Sequence, residues 1–184
     1  MRNSNSPKLQ VAMFPWFAFG HFILYLHLSG KLVKKRLQVS FLLPKKAQPK
    51  LEQLNHYPNL IQFFPLAVPH VYGIPPSAET MSNVPQPLSS LLAIAFDQTR
   101  DQVEAILKAI KPYMVFYDLG HCIPTLAHQT GSKSIHYAVV SAAANTHKSD
   151  YIAKGRVSRV TSWVGVIRAT FLGGFNTTIR MHKD

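Results

Sequence analysis

An α/β fold built on a doubly wound, mostly parallel sheet is what this sequence predicts, and three observations predict it. Short apolar runs recur from Leu9 to Val140, bounded by Pro, Gly or Asn and of a length that suits buried strands. Amphipathic segments with helical spacing lie between them. The two alternate along the chain, as they do where parallel strands are joined by crossover helices.

The elements follow in order. Leu9 to Pro15 reads as the first strand, Gly20 as a turn, and His21 to Lys35 as a helix. Leu24, Leu28 and Leu32 share one face of that helix, and Lys31, Lys34 and Lys35 sit near its end, where cations suit the helix dipole. Leu37 to Leu43 is a second strand stopped by Pro44, Ala47 to His56 a short helix, and Asn59 to Leu66 a third strand. Residues 67–87 carry five prolines and Gly73, an irregular connection of the kind that shapes binding sites. Pro87 to Ile110 reads as one long helix ended by Lys111-Pro112. Tyr113 to Tyr117 is a fourth strand, Ile123 to Gln129 a helix closed near Gly131, and Ser134 to Val140 a fifth strand. Beyond Ala144 the pattern decays. The expected division is a domain over 1–144 and a divergent basic tail over 145–184, whose order the sequence leaves open.

The 184 residues, 47% hydrophobic and 15% charged, suffice for one domain with a core and argue against disorder. A net charge of +12 raises nucleic acid or an anionic membrane as partners. The basic residues are spread along the chain, with no arginine-rich stripe interleaved with aromatics, so a solvated basic surface and no nucleic acid is expected. Cys122 is the one cysteine, which excludes an internal disulfide and suits a reducing, cytoplasmic compartment. His121 precedes it, but adjacent helical residues do not face each other, so a buried, unreactive thiol is expected. Leu9 to Gly30 lacks charge and is long enough to span a bilayer, yet Pro15, Gly20, His21 and His27 interrupt it. Strand, turn and helix explain this punctuation better than an integral membrane segment does.

The chain has no dinucleotide fingerprint, P-loop or nucleophile elbow. His121 and His128 could share a helix face, but no third ligand completes a metal site, and none is expected. Two side chains differ in position from the rest. His21 follows the first strand and its turn glycine, and Asp118 ends the otherwise apolar Val115-Phe116-Tyr117. Ligands of open α/β sheets bind at the carboxyl ends of strands, and an imidazole oriented by a carboxylate can take a proton from a hydroxyl near neutral pH. A structural histidine and a helix-capping aspartate are the alternatives on these grounds alone. If the two residues pair, they lie within hydrogen-bonding reach at adjacent strand ends.

Val11-Ala12-Met13-Phe14-Pro15-Trp16-Phe17-Ala18-Phe19-Gly20-His21 resembles the amino terminus of plant UDP-dependent glycosyltransferases. The resemblance continues through Val39 to Gln48, Gly73 to Thr80, Ala95 to Glu104 and Phe116-Tyr117-Asp118, covering about residues 8–144. It points to the branch that extends sugars on flavonoid and anthocyanidin glycosides. It implies a Rossmann-like domain, the acceptor-binding half of a two-domain GT-B architecture. It implies that His21 is the general base and Asp118 its orienting partner in an inverting transfer from UDP-sugar to a hydroxyl of a small plant metabolite. It also implies that Trp16, Phe17, Phe19 and Gly20 line the substrate site, that Ser141 touches the donor sugar, and that UDP-sugar serves as donor substrate with no cofactor. Leu24, Tyr113, Gly120 and Cys122 depart from the family's usual residues, and residues 145–184 do not match its continuation. The expectation is therefore a truncated chain without a donor domain, with little or no transferase activity by itself. The alternative is a catalytically inactive half-domain that binds metabolites or a partner chain.

Overall fold

The five predicted strands form in the computed structural model, which describes residues 9–139 together with the strands over 166–170 and 176–180. Strands β1 (Gln10–Phe14), β2 (Gln38–Pro44), β3 (Ile61–Leu66), β4 (Met114–Tyr117) and β5 (Lys133–Tyr137) pair in parallel in the order β3-β2-β1-β4-β5. The inner strands β1, β2 and β4 are mostly buried apolar runs, as parallel strands covered on both faces require, whereas β3 and β5 also carry exposed residues such as Gln62 and Lys133. β1 lies at the centre, and Val11 to Phe14 are at most 1% exposed.

The order carries functional information. The chain winds outward from β1 through β2 to β3, then crosses back to lay β4 on the other side of β1 and continues to β5. The reversal of winding falls between β1 and β4, so the crevice beyond their carboxyl ends is the ligand position that this topology favours. In the register Phe14 lies opposite Tyr117. The loops that leave these two residues therefore start side by side.

Helix α1 (Phe19–Val33) follows β1 after a tight turn in which the Ala18 amide donates to the Trp16 carbonyl at 2.7 Å. The stretch from Leu9 to Gly30 is thus strand, turn and helix, as Pro15 and Gly20 predicted. Among the described residues no helix is long and apolar enough to cross a membrane. The helix expected over Ala47 to His56 is shorter, a 3₁₀ turn at Lys45–Ala47 running into α2 (Gln48–Glu52).

The long helix expected over Pro87 to Ile110 is two helices, α3 (Ser89–Asp97) and α4 (Arg100–Ile110). The break comes from Thr99, which is fully buried and whose hydroxyl donates to the Phe96 carbonyl at 2.7 Å. Such back-bonding competes with the helical ladder. Helix α5 (Ile123–Gln129) has the predicted bounds.

Two further strands, β6 (Val166–Thr170) and β7 (Asn176–Arg180), form an antiparallel pair, and β7 joins β5 antiparallel. They extend the sheet within a segment whose sequence shows no clear periodicity beyond a short apolar patch from Trp163 to Ile167, which β6 overlaps. Each has only five residues, too few for alternation to stand out from its basic, glycine-containing surroundings.

The proline-rich connection over 67–87 is tied down at several points. The Gln102 side-chain amide makes two bonds to the Ala67 backbone, accepting from its N–H at 2.9 Å and donating to its carbonyl at 2.7 Å. The Lys46 amide donates to Glu79 at 2.8 Å, and the Lys46 ammonium donates to the Ser77 carbonyl at 2.9 Å. The Met81 amide donates to the Phe17 carbonyl at 2.9 Å, which fixes the connection against the turn before α1.

Candidate active site

Asp118 is the first residue beyond β4, and its side chain is satisfied three times over. Oδ1 accepts the amides of Trp16 and Leu119, each at 2.7 Å, and Oδ2 bonds to Nδ1 of His21. The residue is only 5% exposed. A buried carboxylate is costly unless such donors replace water, and here two come from the backbone of the flanking turns. The expected pairing of His21 with Asp118 at the adjacent ends of β1 and β4 is therefore what the structure contains.

His21 reaches Asp118 because it is the third residue of α1, whose start is set by the turn through Trp16 and Ala18. The Trp16 amide that bonds to Asp118 belongs to that same turn. The carboxylate thus holds both the imidazole and the backbone that delivers it. The His21 side chain is 21% exposed against 3% for Asp118. With Nδ1–H donating to the carboxylate, a neutral ring keeps Nε2 as its unprotonated nitrogen, the arrangement of a general base.

Neighbouring groups stay protonated at neutral pH. Burial, with the Asp118 charge as a lesser cause, pushes the Tyr25 hydroxyl well above its ordinary value, and that hydroxyl donates to the Tyr137 carbonyl at 3.0 Å. Burial pushes Tyr117 up to about 12. Cys122 is half-buried rather than buried as expected, and its thiol is also raised, chiefly by that burial, which keeps it in the less reactive protonated form at neutral pH.

The aromatic residues named from the sequence divide. Phe17 is fully buried and Trp16 is 8% exposed, both packed on Phe96, with ring centroids 4.7 and 5.1 Å away. Phe14 stacks on the same ring at 4.7 Å. The side chains of Trp16 and Phe17 are thus placed in the core, because Phe96 of α3 covers them. Phe19 is half-buried, lies edge-on to Phe22, and has the Lys50 ammonium 4.3 Å from its ring centre. A Cβ built on Gly20 would meet nothing within 4 Å, so open space lies beside its backbone. Ser141 lies outside the described residues. Among the described residues no group of three or more His, Cys, Asp or Glu could hold a metal ion.

Sequence reasoning missed His136. From the sequence it has no visible partner, yet its Nε2–H donates to the Asp118 carbonyl at 2.8 Å. Only the register of β4 with β5, which places it opposite Tyr117, brings it there.

No family profile matches the chain. Among curated proteins it is 51% identical over 142 residues to an anthocyanidin 3-O-glucoside 2'''-O-xylosyltransferase of Arabidopsis thaliana, covering 77% of this chain and 30% of that protein. It is 47% identical over 138 residues to a cyanidin 3-O-galactoside 2''-O-xylosyltransferase of Actinidia chinensis var. chinensis, covering 75% and 30%. The chain thus spans about 30% of the length of these curated relatives. Among solved structures, Arabidopsis thaliana UGT89C1 complexed with quercetin superposes with a TM-score of 0.69 at 21% identity, over 76% of this chain and 37% of that one. This likeness establishes the fold, a Rossmann-like domain of the GT-B type.

Proposed function

Because the chain belongs to the plant UDP-dependent glycosyltransferases, we propose that residues 9–139 form the acceptor side of a sugar-transfer site in which His21 is the general base. The acceptor is a hydroxyl of a flavonoid or anthocyanidin glycoside, in keeping with the named activities of the relatives, and the donor is a UDP-sugar. Nε2 of His21 takes the hydroxyl proton as the acceptor oxygen attacks the anomeric carbon. The new glycosidic bond forms as the bond to the UDP oxygen breaks, and a single displacement inverts the configuration. Asp118 holds the ring through Nδ1 and stabilises the imidazolium that results.

One observation carries this reading: the His21–Asp118 bond at the point where the winding of the sheet reverses, with Asp118 also gripping the turn that delivers His21. The space beside Gly20 gives the donor sugar room to approach the backbone. Phe19 offers an aromatic edge to a planar acceptor. Ser141 is proposed as a hydroxyl contact to the sugar. For Trp16 and Phe17 the contribution is the shape of the turn, since their rings are packed away from solvent.

The polypeptide of residues 1–184 is proposed to bind acceptor more readily than it turns it over. A base contributes roughly 10²–10⁴ in rate, whereas holding donor and acceptor in line can be worth about 7–11 kcal/mol. Titrating the chain with an anthocyanidin or flavonol glycoside, followed by tryptophan fluorescence, and assaying transfer from UDP-xylose and UDP-glucose separates the two abilities. Saturable binding with slow transfer supports the proposal. Absence of acceptor binding at millimolar concentration contradicts it.

A further inference from the structure

We propose that His136 is a positioning residue for the His21–Asp118 pair, acting through the main chain of Asp118; the proposal rests on the reading of that pair as the catalytic base. The parallel register of β4 and β5 runs from Met114 opposite Lys133 to Tyr117 opposite His136. Asp118 lies one residue beyond that last pair. Its carbonyl accepts the Nε2–H of His136 at 2.8 Å, a side chain standing where a main-chain donor would otherwise serve. The Tyr117 ring, with its centroid 5.4 Å from that of His136, borders the imidazole.

This bond matters because of what Asp118 does with its other atoms. Oδ1 holds Trp16 and Leu119, and Oδ2 holds His21. All three bonds radiate from one side chain, so the direction of the Asp118 peptide decides whether they can be made together. β4 has only four residues and ends just before Asp118, which leaves the carbonyl bond as the anchor on the β5 side. Without the donor, the Asp118 peptide can rotate, Oδ2 loses its fixed relation to Nδ1, and His21 loses its preference for the Nδ1–H tautomer. Nε2 is then protonated for part of the time and unavailable as a base. His136 need not touch substrate for this to follow.

The test is the tautomer of His21 read from imidazole ¹⁵N resonances of the labelled 184-residue chain. His136→Phe fills similar volume beside Tyr117 and removes the donor, while His136→Gln returns an N–H at similar reach. Asp118→Asn serves as the reference for a disrupted pair. The expected result is a single Nδ1–H signature at His21 in the wild type and in H136Q, and loss of that single signature in H136F toward the pattern of D118N. An H136F spectrum at His21 matching the wild type overturns the proposal while leaving the pair intact, and so does an H136Q spectrum as disturbed as that of H136F. A D118N spectrum unchanged at His21 overturns the reading of the pair itself, and the proposal with it. Should H136F not fold, the wild type still decides, since an unprotonated Nε2 on His136 excludes the bond.

Discussion

His21 and Asp118, 97 residues apart in the sequence, share a hydrogen bond because β1 and β4 lie side by side. Neither helix propensity nor local turn chemistry could bring them together. The crossover that places β4 against β1 after β2 and β3 are already laid down does so, and the same crossover opens the crevice at the strand ends. The carboxylate then ties down the turn through Trp16 as well as the imidazole. A change at either residue should therefore have different structural and chemical costs.

Asp118→Ala is expected to destabilise the chain more than His21→Ala. Losing the carboxylate leaves the Trp16 and Leu119 amides without their partner, at about 1–3 kcal/mol for each group left unsatisfied. Losing the imidazole leaves the carboxylate with both backbone donors. Urea unfolding of the two variants at pH 7 checks the order, and a less stable H21A contradicts it.

Two glycines should respond in opposite ways to one added methyl group. At Gly120 a Cβ would lie 2.9 Å from Phe14 Cδ1 and 3.0 Å from Ile123 Cγ1, and Phe14 is held by its stack on Phe96. Gly120→Ala should cost about 1–3 kcal/mol through overpacking. Gly20 lies near the start of α1 with open space around it, so Gly20→Ala should leave stability unchanged or raise it by about 0.5–1 kcal/mol. Thermal unfolding of both variants reads the contrast. If the space beside Gly20 admits the donor sugar, G20A also weakens sugar transfer while folding normally.

Much of this was legible in the sequence, and the parts that were not share a cause. The apolar runs of β1 and β4 and the ionisable residue that follows each are local signals that mark His21 and Asp118 as candidates, and the family resemblance is what gives the two their paired roles. The bounds of α5 were readable from Gly131 and the short apolar pattern. The break at Thr99 was not, because a hydroxyl bonding back to Phe96 leaves the helical spacing of apolar residues intact. The burial of Trp16 and Phe17 depends on Phe96, a partner from α3, and the bond from His136 depends on strand register. Such contacts are tertiary, and no window of neighbouring residues contains them.

Cys122 should react slowly with iodoacetamide at pH 7.5. Burial raises its thiol above the ordinary value and reduces the thiolate, the reactive form. The rate should climb steeply above pH 9. Mass spectrometry of timed samples follows it, and alkylation at pH 7.5 as fast as that of free cysteine contradicts the expectation.

Stability should fall on the alkaline side. Burial holds Tyr117 protonated up to about 12, and Tyr25 is raised as well, whereas the unfolded chain releases these protons near pH 10. The contribution is complete below pH 10 and is lost as pH rises toward 12, since only the unfolded state gains by ionising in that window. Urea midpoints at pH 8, 10 and 11 should decline, with a shallower decline in Tyr117→Phe. Parallel curves for the two proteins would remove Tyr117 as a cause.

The most direct test of His21 as the base is the rate of sugar transfer by a chimera in which residues 9–139 replace the matching segment of the Arabidopsis xylosyltransferase relative. Transfer from UDP-xylose to the anthocyanidin glycoside is measured with the chimera and with its His21→Ala variant, each shown to be folded and to bind acceptor. Removing the imidazole is expected to lower kcat by roughly 10²–10⁴, the worth of a general base, with acceptor affinity little changed. A variant that transfers sugar within a factor of a few of the unsubstituted chimera would contradict that role for His21.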